Sequence, residues 1–158
     1  MPVTRTQPST PAPFLSAWFA LLDSPDASRI LDLISDDFSF SILFSTGGDG
    51  ATDFHGGRAE MEGYLAQREQ GTRTHHLLSA SADGRDELFL GEVRRSGVPE
   101  ATFVASARLD ESGKVRRLLI GRSPTVLFAD APADSSARTG RCHVQPRSAG
   151  LAPARLDP

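Results

Sequence analysis

Two adjacent histidines, His75 and His76, lie in the run Arg73-Thr74-His75-His76-Leu77-Leu78-Ser79 and are the side chains best suited to acid–base chemistry. Imidazole can take and return a proton without help from a metal or an organic group. The run reads as a β-strand, whose alternation sends the two rings to opposite faces. His75 shares a face with Leu77 and Ser79, and His76 shares one with Leu78 and Ala80. Both faces are partly apolar, so parity leaves open which ring enters the core.

Other side chains add to the inventory. Asp23 directly follows an apolar helical pattern, where the helix dipole disfavours a carboxylate by roughly 0.3–1 kcal/mol. The start of a second helix is adjacent and would offset that cost, so a cap-region role competes with a chemical one. Arg122 shares a strand face with Leu118 and Ile120, whereas Arg108 shares one with Val104 and Ser106. An inward arginine would anchor a carboxylate or an enolate oxygen. Arg122 is preferred because it follows an otherwise apolar face. His55 and Asp53 lie in a glycine-rich stretch that would edge a pocket mouth. Tyr64 is the only tyrosine and Trp18 the only tryptophan. Both fit a helix core face, and with Phe40 they complete the candidate ligand contacts. Cys142 and His143 are adjacent but lack companion ligands, so no metal site is expected.

These residues need elements to hold them. Pro13 opens a helix, and Phe14, Leu15, Trp18, Phe19, Leu21 and Leu22 form its apolar stripe. Asp23-Ser24-Pro25-Asp26 breaks it and starts a second helix, with Ser24 as N-cap and Ala27, Ile30, Leu31 and Ile34 as its buried face. Ser35-Asp36-Asp37 reads as a turn. Phe38 to Ser45 then alternates large apolar with small polar residues, predicting a strand with Phe38, Phe40, Ile42 and Phe44 inward. Residues 46–57 read as a Gly/Asp-rich loop and a candidate lid. Residues 57–70 read as a third helix with Met61, Tyr64, Leu65 and Arg68 on one face, stopped by Gly71. Strands follow over 74–82, 87–95, 101–109 and 115–123, punctuated by Asp83-Gly84, Gly97 and Asp110-Glu111-Ser112-Gly113.

Length and composition bound the functional classes. The 158 residues suit one domain at 13–128, with a flexible arm at 1–12 and a disordered tail at 129–158. A net charge of −3 argues against broad binding to nucleic acid or an anionic membrane. Lys114 is the only lysine, an arginine bias that fits a GC-rich bacterial genome. One cysteine excludes an intrachain disulfide and favours a reducing compartment. With no signal-peptide pattern and no apolar run of membrane length, the expected location is cytoplasmic.

Helix, helix, strand, helix and then a strand meander describe an α+β domain, with a strongly curved mixed sheet wrapped as a cone around three helices. Over residues 13–128 the chain resembles the SnoaL-like branch of the nuclear transport factor 2-like superfamily, a cystatin-like α+β barrel. The resemblance rests on Leu22-Asp23-Ser24-Pro25-Asp26, Ile34-Ser35-Asp36-Asp37-Phe38, Phe54-His55-Gly56-Gly57-Arg58-Ala59-Glu60, Thr74-His75-His76-Leu77 and Asp83-Gly84. Its dehydratase-like members place a cavity histidine on this strand and an aspartate at the helix joint. The resemblance therefore implies His76 and Asp23 as the catalytic pair, acting without a cofactor on a small apolar, polyketide- or steroid-like metabolite. Dehydration, isomerisation and cyclisation all fit such a pair.

Two departures are visible. Leu22 stands where a carbonyl-polarising tyrosine precedes the aspartate, and the strand 101–109 carries no second cavity histidine. An epoxide-hydrolase-like site would need a second inward aspartate, for which no position offers itself. A non-catalytic binding or dimerisation module is the alternative, because Ser39, Ser41 and Ser45 leave a flat outer face able to pack on a second copy.

Overall fold

The computed structural model describes residues 10–45 and 51–128. Helix α1 (Pro13–Leu22) begins where the sequence places it. Leu15, Trp18, Phe19 and Leu22 are its buried face. Ala12, expected in the flexible arm, is fully buried, and its carbonyl accepts the Ser16 N–H at 3.0 Å. Residues 1–9 and the tail at 129–158, with Cys142 and His143, lie outside the described residues.

The second helix is a 3₁₀ helix, Ala27–Leu33, and not an α-helix. Seven residues between Asp26 and the extended Ile34 leave little room for an α-helical nucleus, and 3₁₀ geometry serves such short connectors. Ser24 does not cap it. Its hydroxyl donates to the Leu21 carbonyl at 2.7 Å and so closes α1 instead.

Strand β1 (Ile34–Ser45) starts earlier than the alternation suggests and absorbs the expected Ser35-Asp36-Asp37 turn. The expected lid is also partly a strand. Ala51–Gly56 forms β2, antiparallel to β1, and 46–50 lie outside the described residues. Helix α2 (Arg58–Gln67) buries Met61 and Tyr64. The meander supplies β3 (Arg73–Asp83), β4 (Asp86–Arg95), β5 (Val98–Leu109) and β6 (Val115–Ser123).

One mixed sheet results, ordered β2-β1-β6-β5-β4-β3, with only β1 and β6 parallel. The two α-helices and the 3₁₀ helix make the domain α+β. Ile42, Ile120, Ala105 and Phe89 are cross-strand neighbours on the inner face, and all four are buried. Phe19 of α1 meets Phe89 and Phe103 at ring-centroid distances of 5.1 and 4.8 Å, locking helix to sheet. Among the described residues, no helix is long and apolar enough to cross a membrane.

Two irregularities in the sheet decide which side chains face inward. Leu77 pairs with Gly91, but Ser79 pairs with Leu90, so Leu78 is an extra residue in β3. Val93 pairs with Ala101 and Arg94 with Pro99, so Glu100 is an extra residue in β5. Each bulge shifts the alternation by one position.

Candidate active site

The bulge at Leu78 settles the histidines. Ala80, opposite buried Phe89, lies on the inner face. Counting back through the extra residue puts His75, opposite buried Val93, on that face too. His76 points outward, where its Nε2 meets the Thr74 hydroxyl at 2.7 Å. The expectation of His76 as the cavity histidine is thus corrected. Its parity argument joined His76 to Ala80 across a bulge that reverses parity.

Asp23 does meet a histidine, and it is His75. The Nδ1–H of His75 donates to Asp23 Oδ1 at 2.7 Å, and its backbone N–H donates to Oδ2, also at 2.7 Å. Arg68 at the end of α2 adds an ion pair to Asp23 at 3.7 Å and donates to the Leu22 carbonyl at 2.7 Å. The cost of a carboxylate at the α1 C-terminus is therefore offset from β3 and α2, not from the 3₁₀ helix. The His75 ring stacks on Phe19 at 5.0 Å and meets the Phe103 edge at 5.3 Å. With Nδ1 held by Asp23, Nε2 is left without a partner among the described residues.

This ring borders a hollow in two parts. An outer vestibule of about 320 Å³ is walled by Phe44, Phe54, Tyr64, Arg68, Arg73 and His75, among others. An inner niche of about 20 Å³ adjoins it, lined by His75, Tyr64, Arg122, Phe103 and neighbouring apolar side chains. The niche has room for one water molecule or one ligand oxygen. The vestibule reaches the lower end of the range for small-molecule sites.

Arg122 enters this hollow, as its strand parity suggests. It lies between Phe44 and Phe103 in register and sits 5.9 Å from the Phe44 ring centroid. Its Nη2 donates to Glu100 Oε2 at 2.6 Å, whereas its buried Nε has no partner. The β5 bulge aims Glu100 here, where Arg73 donates Nε at 2.7 Å to the same oxygen. That bond, with the Arg122 and Arg95 charges, holds the Glu100 carboxyl below the ordinary carboxylate range. Arg108, by contrast, pairs with Asp86 on the exposed side.

Tyr64 borders both parts of the hollow. Burial pushes its hydroxyl above the usual tyrosine range, against the opposing pull of Arg68, so it stays a donor. The remaining candidates lie outside this hollow. Trp18 is 1% exposed and packs against Phe14, its ring in the core and not in the hollow. Phe40 stacks on Phe38 at 5.6 Å and does not line the hollow, which Phe44 does. His55 is exposed, opposite Ser41 on the outward face, and Asp53 is likewise exposed. Arg68, Arg73 and Glu100 went unrecognised as site residues. Arg68 carried a signal, a charged residue ending an apolar helix face, but the Glu100 bulge is invisible without its partner strand. No cluster of three or more metal-binding side chains occurs among the described residues.

No family model matches the sequence, and no curated protein does. Solved structures do match in shape. A candidate ketosteroid isomerase from Kribbella flavida aligns at TM-score 0.53 and 16% identity, over 91% of this chain and 90% of that one. A candidate isomerase of the SnoaL-like family from Agrobacterium tumefaciens aligns at 0.52 and 10% identity, over 70% and 94%. An NTF2-like protein of unknown function from Burkholderia xenovorans aligns at 0.53 and 16% identity, over 76% and 85%. The shared feature is the fold, the curved α+β cone of NTF2-like proteins.

Proposed function

We propose that this protein is a cofactor-independent lyase or isomerase that moves protons on a small, largely apolar carbonyl compound, with His75 as the base. The observation that carries the reading is the Asp23–His75 pair, with bonds of 2.7 Å to both ring and backbone, beside an open hollow. Asp23 fixes the tautomer in which Nε2 carries the lone pair, and the Phe19 and Phe103 rings fix the plane. Nε2 takes a proton from carbon next to a carbonyl. The same imidazolium returns it to another carbon or to a leaving hydroxyl. Tyr64 lines the same hollow, and its hydroxyl is a candidate donor to the oxygen that gains charge. The candidate isomerases among the similar folds support this class of chemistry by analogy only.

Exchange in D₂O tests it directly. Simple cyclic ketones and 1,3-diketones, followed by NMR, lose their α-protons faster with the protein than in buffer. A His75→Asn variant abolishes the difference, and unchanged exchange in that variant sinks the proposal. A second copy of the chain is the proposed macromolecular partner. The outward sheet face supports this, with Leu43, Val104 and Leu119 between 42% and 57% exposed. Sedimentation at micromolar concentration checks it, and a monomer there argues against pairing.

A further inference from the structure

The polar groups around the hollow are unequal in kind, and the imbalance names the ligand. The two carboxylates bonded to its lining residues are spent. Asp23 takes the two His75 bonds and the Arg68 ion pair. Glu100 takes Arg73 and Arg122 on Oε2, and Arg73 at 3.3 Å with Arg95 at 3.6 Å on Oε1. Donors remain. The Arg122 guanidinium carries five N–H bonds but makes one hydrogen bond among the described residues, and its Nε is buried without a partner. The Tyr64 hydroxyl keeps its proton. A buried unsatisfied donor is costly, so a ligand that supplies an acceptor there gains more than one that does not.

We infer that the natural ligand carries a carboxylate, or an equally anionic oxygen group, bound by Arg122 while its apolar body lies against Phe44 and Phe54. This deepens the proposed proton chemistry by naming its substrate class, an aryl or alicyclic acid, and it rests on that reading. Arg122 already has a carboxylate partner in Glu100, 2.6 Å away, whose geometry shows how a ligand carboxylate would be received. The guanidinium tethered there also sits over the Phe44 ring, so charge and apolar wall meet at one place. Glu69, the remaining carboxylate at the rim, is exposed and already shared by Arg73 and Arg95, so it repels a ligand anion only weakly.

Binding of two matched probes decides it. 1-Naphthoate and 1-naphthalenemethanol share a ring system and differ in charge. Calorimetry with the full chain gives at least about tenfold tighter binding of the acid. Arg122→Met removes that preference, and Arg122→Lys retains part of it. Equal affinity for the two probes, binding of neither, or a preference that survives Arg122→Met overturns the inference. His75→Asn leaves the preference intact while removing proton exchange. Loss of exchange alone and loss of anion preference alone therefore report on separate claims.

Discussion

Each end of α1 holds a buried or half-buried carboxylate, Glu87 brought from far along the chain and Asp23 from the helix's own C-cap, and the two serve opposite purposes. At the N-terminus, Glu87 of β4 accepts the backbone N–H of Phe14 at 3.1 Å and of Leu15 at 2.8 Å. Pro13 has no N–H, and Ser16 bonds back to Ala12, so the first turn has no orphan donor left. A negative charge there agrees with the helix dipole. At the C-terminus, Asp23 works against the same dipole and is retained by His75 and Arg68. One end of the helix is arranged for stability. The other keeps a carboxylate where the backbone disfavours it and spends it on orienting an imidazole. Groups that break a local rule under tertiary compensation mark functional sites more often than groups that obey it.

The contrast makes the two ends separable by substitution. The largest effect is expected from His75→Asn, which lowers proton-exchange activity by about 10²–10⁴-fold, the usual worth of a positioned acid–base group, while urea unfolding shifts little. Next comes Glu87→Gln. It replaces one acceptor oxygen with an amide that faces a backbone donor and removes a charge the dipole favours, which costs about 2–3 kcal/mol of folding stability. Activity per folded molecule is unchanged. If Glu87→Gln lost activity without losing stability, the division between the two ends of α1 would be wrong.

Much of the fold and the Asp23 end of α1 were legible in the sequence, the Glu87 end was not, and the exceptions share one cause. The apolar stripe of α1, the alternation of β1 and the limits of β6 depend on neighbours within one segment, so a single strand's pattern reveals them. Asp23 was suspect for the same reason, because its conflict with the helix dipole is local. Which histidine meets it depends on a bulge, and a bulge is a relation between two strands. Gly91 is part of that relation. A Cβ there would clash with the Phe103 ring, which packs directly opposite and walls His75. Gly91→Ala is expected to cost about 1–3 kcal/mol through overpacking and to lower activity as well, since the displaced Phe103 ring packs against the imidazole. Equilibrium unfolding with exchange kinetics measures both. The stretch that forms β2 reads as a loop in sequence because the glycine and aspartate content around it outweighs any alternation. It forms because β1 offers a free edge with six paired positions.

Asp23→Asn comes lower on the stability scale. The amide keeps one acceptor for His75 and relieves the dipole conflict, so the loss is about 1 kcal/mol or less, smaller than for Glu87→Gln, whereas exchange activity falls sharply because the tautomer is no longer fixed. Stability and activity thus rank the two helix-end substitutions in opposite orders, and matching orders would erase the distinction.

The smallest expected effect concerns acid, and it tests whether the mouth of the hollow is held separately from the Asp23–His75 pair. The Glu100 carboxyl is depressed below its ordinary 4.5, chiefly by the Arg73 bond. A depressed carboxylate contributes stability that is present above its unfolded value and lost as pH falls through its folded one. Asp37, bonded to Arg116 and to the Ser35 hydroxyl, is depressed from 3.8 to about 2, so its contribution survives to lower pH. The acid limb of the stability profile should therefore have two parts. Glu100→Gln flattens the upper part, just below pH 4.5, and Asp37→Asn flattens the part between 3.8 and about 2. Urea midpoints across this range separate them. If Glu100→Gln leaves the upper limb unchanged, its bonds to the three arginines contribute less stability than the geometry implies, and the mouth is not the acid-sensitive part of the domain.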